Sequence, residues 1–199
     1  MVHHIDYYFA TVSPWMYLGH ERFVALARQH GATIAVKPMN LGEVFPVSGG
    51  LPLSKRSPQR QAYRLVELKR WSEHLGVPLN LQPKYFPANG DPAACWILAA
   101  AELGTEQALA LTGAVGRAVW AQERDIADVA TLAALAGECG LDGAKLAGRA
   151  ASPDMSARYA ALTQEAIARG VFGAPTYVVG DELFWGQDRL DFVARKLAK

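Results

Sequence analysis

The chain has 199 residues, of which 51% are hydrophobic and 20% are charged, a composition typical of a globular protein with a substantial core. Its formal net charge of +1 argues against nucleic acid or an anionic membrane surface as a partner. We see no basic leader followed by an apolar core, and no apolar run approaches the roughly 20 residues that span a bilayer. We therefore expect a cytoplasmic protein that spans no membrane.

The first forty residues predict a strand, a helix and a second strand. Residues 4–10 are rich in aromatic and β-forming side chains, and residues 33–39 form a similar run. Between them, Ser13 is a favoured N-cap and Pro14 is tolerated at the first helical position, so a helix is predicted over 15–29. A connection of this length favours a parallel βαβ unit.

The middle of the chain is predicted to be helical after one loop. Residues 40–58 are rich in Gly, Pro and Ser and predict a loop. Apolar residues then recur at helical spacing through most of the following hundred residues. The predicted helices are 59–75, 92–103, 106–122, 128–139 and 143–150. Basic residues between Lys55 and Arg70 are interrupted by acidic and apolar ones and indicate a solvated helix face.

The last fifty residues return to a mixed pattern. A helix is predicted over 153–169, strands over 175–179 and 182–185, a hairpin turn between them, and a final amphipathic helix over 188–197. The two ends of the chain thus supply βαβ and αββα. Together they predict an α/β, thioredoxin-like fold, formed by residues 1–56 and 151–199 and interrupted by an all-helical insertion domain at 57–150.

The cysteines and histidines, which could form a disulfide or bind a metal, show no spacing typical of either. Cys95 and Cys139 lie far apart in helical stretches and are predicted to be reduced thiols in the core. His3 and His4 are adjacent at the start of a strand, so their side chains point to opposite faces. The remaining histidines have no paired ligand spacing and are expected at the surface; they are His20, His30 and His74. We predict no metal site.

The segment Ser13-Pro14-Trp15-Met16 follows the first strand, where a helix N-terminus of a βαβ unit points outward. Unpaired amides and the helix dipole favour an anion or a thiolate there. A disulfide oxidoreductase would have Cys-x-x-Cys, so dithiol exchange cannot occur at Ser13 and Met16. The Ser13 hydroxyl can instead donate a hydrogen bond to a bound thiolate and lower its pKa. An N-cap role alone is the alternative, and the two are compatible.

Two further segments near the C-terminus carry polar or strained features. Pro175 follows glycines immediately before a strand, which indicates a turn and a cis peptide bond, and it leaves the backbone of Ala174 free to pair with an extended ligand. A plain tight turn is the alternative. Asp188, between the last strand and the last helix, is either a helix-start acid or a ligand for an ammonium group.

The chain resembles the 2-hydroxychromene-2-carboxylate isomerase family, which is close to the kappa-class glutathione transferases and to DsbA-type oxidoreductases. The resemblance covers essentially the whole chain. It rests on Ser13-Pro14-Trp15, Phe86-Pro87-x-Asn89, Gly173-Ala-Pro175-Thr176 and Phe184-Trp185-Gly186-Gln187-Asp188-Arg189. The Ser-Pro segment and the Trp-Gly-Gln-Asp-Arg run are specific only together.

This resemblance implies a dimer that uses glutathione as cofactor. Ser13 would contact the glutathione sulfur, the Ala174 backbone would pair with the cysteinyl part, and Gln187 and Asp188 would hold the γ-glutamyl group. In the implied reaction the thiolate adds to a conjugated carbon of an aromatic carboxylate, a single bond rotates, and elimination gives the trans-alkene. The implied cofactor-binding residues are Ser13, Pro14, Trp15, Arg60, Ala174, Pro175, Trp185, Gly186, Gln187 and Asp188. The candidates for the substrate pocket are Phe45, Tyr85, Phe86 and Asn89, although the aromatic ones suit a core equally well.

Departures from the family pattern leave other functions open. Phe45-Pro46-Val47 and Gly49-Gly50 stand where members commonly have a loop lysine and a Gly-Asn pair, and Arg60 stands where a lysine is usual. Arg60 can still bind a carboxylate bidentately, but the missing lysine removes one substrate contact. A kappa-like glutathione transferase is one alternative. A non-catalytic module that binds peptides or thiols is the alternative of another class.

Overall fold

The structure, a computed structural model, describes residues 3–199 as a four-stranded sheet with helices packed on both faces. In spatial order the strands are β2 (Thr33–Pro38), β1 (His4–Phe9), β3 (Thr176–Val179) and β4 (Glu182–Trp185). β1 is parallel to β2, with Ile5 opposite Ile34, and antiparallel to β3, with Tyr7 opposite Tyr177. The predicted thioredoxin-like arrangement of strands is confirmed.

The predicted helices are present, with small shifts at their ends. In chain order the helices are α1 (Pro14–Gln29), α2 (Leu41–Ser48), α3 (Pro58–Leu75), α4 (Asp91–Ala101), α5 (Thr105–Trp120), α6 (Val129–Glu138), α7 (Gly143–Ala150), α8 (Pro153–Ala168) and α9 (Leu190–Leu197). Short 3-10 turns occupy Leu53–Lys55 and Gln187–Arg189. Within residues 3–199, no helix is both long enough and apolar enough to cross a bilayer.

The predicted loop over 40–58 is wrong in its first half, which forms α2. Asn40 caps this helix through a 2.7 Å hydrogen bond from the Gly42 amide to its Oδ1, and Gly49 ends it with φ of 77°. Val44 is buried in a core that α2 shares with α8. A helix of eight residues is too short to show a clear helical period in the sequence. Pro46 within it also argues against a helix, because proline is disfavoured inside helices.

The sheet separates two cores because side chains alternate along β1. Tyr7 faces the larger core, which contains residues of α1, α4 and α5, whereas Tyr8 faces a smaller core under α2 and α8. The helices α3 to α7 lie between β2 and β3 in the chain, and they contribute to the same large core as the sheet. The predicted division has a thioredoxin-like domain at 1–56 and 151–199 and a helical insertion domain at 57–150. Its boundaries fall between helical elements, and the division stays a prediction.

His20 is buried, so its expected place at the surface is wrong. Its Nε2 lies 3.0 Å from the Leu109 carbonyl oxygen and its Nδ1 lies 3.3 Å from the Tyr7 hydroxyl. Burial lowers the pKa of the imidazole, and a neutral ring suits one acceptor and one hydroxyl donor. α5 packs closely on α1 here, since a Cβ at Gly113 would lie 3.1 Å from the His20 ring.

Candidate active site at the N-terminus of α1

Ser13 lies at the start of α1 and is only 6% exposed. Its Oγ accepts a hydrogen bond from the Met16 amide at 3.2 Å, which confirms the N-cap role. The hydroxyl donates to the Ala174 carbonyl oxygen at 3.4 Å, a long hydrogen bond. A hydroxyl has one proton and two acceptor sites, so capping leaves that proton free to turn toward an anionic partner.

The segment before β3 lies directly against Ser13. The Ala174–Pro175 peptide bond is cis, as the sequence indicated. The Pro175 carbonyl oxygen accepts a hydrogen bond from the Gly186 amide at 2.9 Å, which ties this segment to the end of β4. Ser13 thus meets predicted site residues that follow it by 161 residues or more, directly at Ala174 and through Pro175 at Gly186.

Trp185 covers this segment from the solvent side and is 51% exposed. Its ring lies so close to Gly173 that a Cβ there would approach Nε1 to 2.3 Å. The Phe172 ring packs against the same ring in an edge-to-face arrangement, with a centroid distance of 4.8 Å. Glycine is therefore required at position 173 if Trp185 is to keep its place, which explains part of the predicted Gly-Ala-Pro pattern.

Gln187 and Asp188 have different surroundings although they are adjacent. Gln187 is 2% exposed and its Oε1 accepts a hydrogen bond from Arg22 Nη1 at 2.8 Å. The Asp188 side chain is 38% exposed and pairs with Arg189 at 3.0 Å. Asp188 is thus the more accessible of the two for a cationic group of a ligand, and Gln187 anchors the turn to α1.

A cleft of about 430 Å³ opens between the N-terminus of α1 and the start of α3. Its lining combines aromatic rings with guanidinium groups: Trp15, Arg56, Gln59, Arg60, Tyr63, Arg64 and Glu67. Trp15 is the second residue of α1, so the cleft lies next to Ser13 along the chain. The predicted site residues Trp15 and Arg60 therefore share one cleft.

Arg64 was expected on a solvated helix face, and this is wrong. Its guanidinium lies over the Phe86 and Trp120 rings, 5.4 and 5.6 Å from their centroids. Burial, with a contribution from Arg56, lowers its pKa to about 10. The four-residue spacing of Arg60 and Arg64 was the signal that could have placed these two on one face of α3; Arg56 precedes the helix and gives no such signal.

Of the other predicted pocket residues, two lie beside the arginines of the cleft. The Arg56 guanidinium is 6.0 Å from the Phe45 ring centroid, and Phe86 lies under Arg64. Tyr85 instead lies beneath Lys84, at 5.0 Å, and does not line the cleft. Asn89 does not line it either; its Oδ1 accepts a hydrogen bond from the Asp91 amide at 3.1 Å, at the start of α4. The substrate-binding roles of all these residues stay predictions.

Comparison with known proteins gives consistent matches. The family model of the DsbA-like thioredoxin domain matches residues 4–198. The 2-hydroxychromene-2-carboxylate isomerase of Sphingobium xenophagum is 34% identical over 190 residues, covering 95% of either chain. A solved structure of 2-hydroxychromene-2-carboxylate isomerase superposes with a TM-score of 0.80 at 32% identity, covering 98% of this chain and 94% of that one. Glutathione S-transferase kappa 1 of Caenorhabditis elegans is 35% identical over 82 residues, 41% of this chain and 36% of its own.

Proposed function

The chain belongs to the 2-hydroxychromene-2-carboxylate isomerase family of DsbA-like thioredoxin domains, and we propose from this that it is a glutathione-dependent cis-trans isomerase of an aromatic carboxylate. One observation carries the proposal. A buried serine hydroxyl caps the helix N-terminus two residues before Trp15, and Trp15 lines a cleft that also contains Tyr63 and guanidinium groups. This arrangement suits a thiolate beside an aromatic anion.

The residues around Ser13 fit glutathione. The Ser13 hydroxyl, now 3.4 Å from a carbonyl oxygen, can donate to a sulfur, and the Asp188 carboxylate can bind an α-ammonium group. Ala174 offers its backbone, as the family resemblance implies. Since the Gln187 oxygen is taken by Arg22, that side chain has its amide nitrogen left to offer. When bound, glutathione supplies a thiolate nucleophile for reversible addition to a conjugated alkene.

The chain's own groups have separate tasks in this proposal. Ser13 and the positive end of α1 hold negative charge on the sulfur and lower the pKa of the thiol. The arginines of the cleft bind the substrate carboxylate and so fix the position of the alkene; this gives Arg60 to the substrate, where the family resemblance implies a contact with the cofactor. Trp15 and Tyr63 offer aromatic surface on which the substrate ring can lie.

Replacing Ser13 tests the central step. We expect Ser13→Ala to lower kcat of the isomerisation roughly 10²-fold, because one preformed hydrogen bond to developing or existing negative charge is lost. Ser13→Gly is the matched control for capping, since glycine at an N-cap costs only a few tenths of a kcal/mol. Equal loss in both variants would assign the effect to the hydroxyl. A nearly active Ser13→Gly would show that only the cap matters and would remove Ser13 from the mechanism.

Calorimetric titration separates cofactor binding from chemistry. Reduced glutathione should bind to the purified protein, and S-methylglutathione should bind more weakly because its sulfur cannot be a thiolate. Absence of binding at millimolar glutathione would favour the non-catalytic module that binds peptides or thiols.

A kappa-like glutathione transferase is the second candidate, and the 35% identity to the Caenorhabditis elegans enzyme over 82 residues supports it. The two activities differ in what happens to glutathione: an isomerase regenerates it, whereas a transferase consumes it with an aryl halide. Measuring free thiol during turnover therefore decides between them.

The homodimer, which the family resemblance implies, and the expected cytoplasmic location also belong to this proposal. Sedimentation velocity of the purified protein measures the first. Fractionation of cells that express the full chain measures the second.

A further inference from the structure

The cleft beside α1 carries more positive charge than the residues around it neutralise. Within residues 3–199, neither Arg56, Arg60 nor Arg64 forms an ion pair with a carboxylate. Glu67, the acidic residue of the lining, is paired with Arg70 at 2.7 Å. The cleft therefore presents three guanidinium groups for anions that the protein itself does not supply.

The guanidinium of Arg64 is oriented by two aromatic rings, although it has no carboxylate partner within residues 3–199. It lies over both the Phe86 and the Trp120 rings, which contact each other at 4.8 Å between centroids. Trp120 is fully buried, so the pair of rings beneath Arg64 belongs to the packed core and holds a fixed position. A guanidinium that is already oriented loses little entropy when it binds a carboxylate in two-pronged fashion.

Arg56 and Arg60 form a second cationic position in the same cleft. Arg56 Nε donates to the Leu51 carbonyl oxygen at 2.8 Å and its guanidinium lies over Phe45, so it too is fixed. Arg60 lies one helical turn before Arg64 on α3, a rise of about 6 Å. One carboxylate would engage one of these positions and leave the other without an anion.

We propose that the substrate of this cleft is an aromatic compound with two anionic groups, one bound by Arg64 above the Phe86 ring and the other by Arg56 and Arg60, so that Arg60 binds substrate and not glutathione. Trp15 would contact the ring between them. The inference rests on the proposed function for the reacting group, but the binding it describes does not require glutathione.

The test compares two unreactive ligands of the same shape by calorimetry: cinnamate, with one carboxylate, and 4-carboxycinnamate, with two. We expect the wild type to bind the dianion at least tenfold more tightly, because each charge-assisted contact contributes more than a neutral one. Arg64→Met should reduce dianion affinity about tenfold or more and change cinnamate affinity less than threefold. Arg64→Lys should recover part of the loss, since it keeps the charge without the planar fork.

Arg195→Met is the matched control, because that guanidinium also lies over an aromatic ring, Phe192 at 5.6 Å, but away from the cleft. It should leave both affinities unchanged. Equal affinity of the wild type for the two ligands, or equal losses for both ligands in Arg64→Met, would overturn the proposal.

The two proposals fail separately. Isomerase turnover with no preference for the dianion would reject the dianionic substrate and leave the isomerase in place. Preference for the dianion without glutathione binding or turnover would reject the isomerase and leave the two-anion cleft in place.

Discussion

Two groups of charged side chains lie on opposite faces of the sheet and differ in how their charge is balanced. On the α8 side, Lys37 of β2 lies 2.8 Å from Asp6 and also pairs with Glu165, which accepts a hydrogen bond from Tyr8. On the α1 side, the arginines of the cleft meet aromatic rings and no carboxylate of residues 3–199. One cluster is complete within the fold, and the other is complete only with a ligand.

The pKa values of the two cations shift in opposite directions. Burial alone would lower the pKa of Lys37, but its hydrogen bonds to Asp6 and Glu165 raise it overall. Burial lowers the pKa of Arg64, and Arg56 lowers it further. Lys37 is partly buried and its charge is stabilised by two carboxylates, so it contributes to folding. Arg64 is also partly buried, but within residues 3–199 it has no carboxylate partner and lines a cleft, so it is available to bind an anion.

The largest effect on stability is expected from breaking the complete cluster. Lys37→Met should lower the free energy of unfolding by about 3 kcal/mol, because Asp6 and Glu165 lose their main cation in a partly buried site. Lys196→Met is the control, since Lys196 and Glu182 form a comparable but exposed pair at 2.9 Å. That control should cost less than about 1 kcal/mol. Urea unfolding measures both, and similar values would deny the cluster a structural role.

A smaller effect is expected from the cleft. Arg64→Met should change the free energy of unfolding by less than about 1 kcal/mol, because it removes a charge that has no carboxylate partner, and the methionine thioether can contact the Phe86 and Trp120 rings that the guanidinium now covers. The same urea experiment applies. A loss as large as that of Lys37→Met would show that Arg64 is structural and would erase the contrast.

The smallest difference is in acid sensitivity. Burial would raise the pKa of Glu165, but hydrogen bonds from Lys37 and Tyr8 lower it overall. A carboxylate with a lowered pKa stabilises the fold above its unfolded pKa of about 4.3, and the contribution is lost as pH falls through the folded pKa. Unfolding free energies between pH 5 and pH 3 should therefore fall less steeply in Lys37→Met than in the wild type. Arg64→Met should keep the wild-type slope, and a flatter one there would contradict the assignment.

Much of the fold and part of the site could be predicted from local patterns. Alternation, helical periodicity and the cap at Ser13 specify short-range structure, so the order of the strands and of every helix except α2 was correct. Pro175 beside glycines indicated the cis peptide bond, and the predicted site residues Ala174 and Ser13 are in contact. α2 was missed for two reasons. It has too few turns to show a helical period, and Pro46 lies between its cap residues Asn40 and Gly49.

The sequence identifies the charged and titratable residues, but it does not predict their burial or their interaction partners. Arg64 and Lys37 both look like exposed cations in a one-dimensional pattern, and His20 looks like a surface residue. Their roles depend on partners distant in the chain: Glu165 for Lys37, Trp120 for Arg64 and Leu109 for His20.

By itself the sequence determined the element order, the helix N-terminus at Ser13 and the absence of a redox dithiol there, since each depends on neighbours within a few residues. Only the tertiary structure decided which cations are neutralised within the fold and which face a cleft. Charge balance depends on distance in space and on burial, and both are set when helices such as α3 and α8 pack against the sheet.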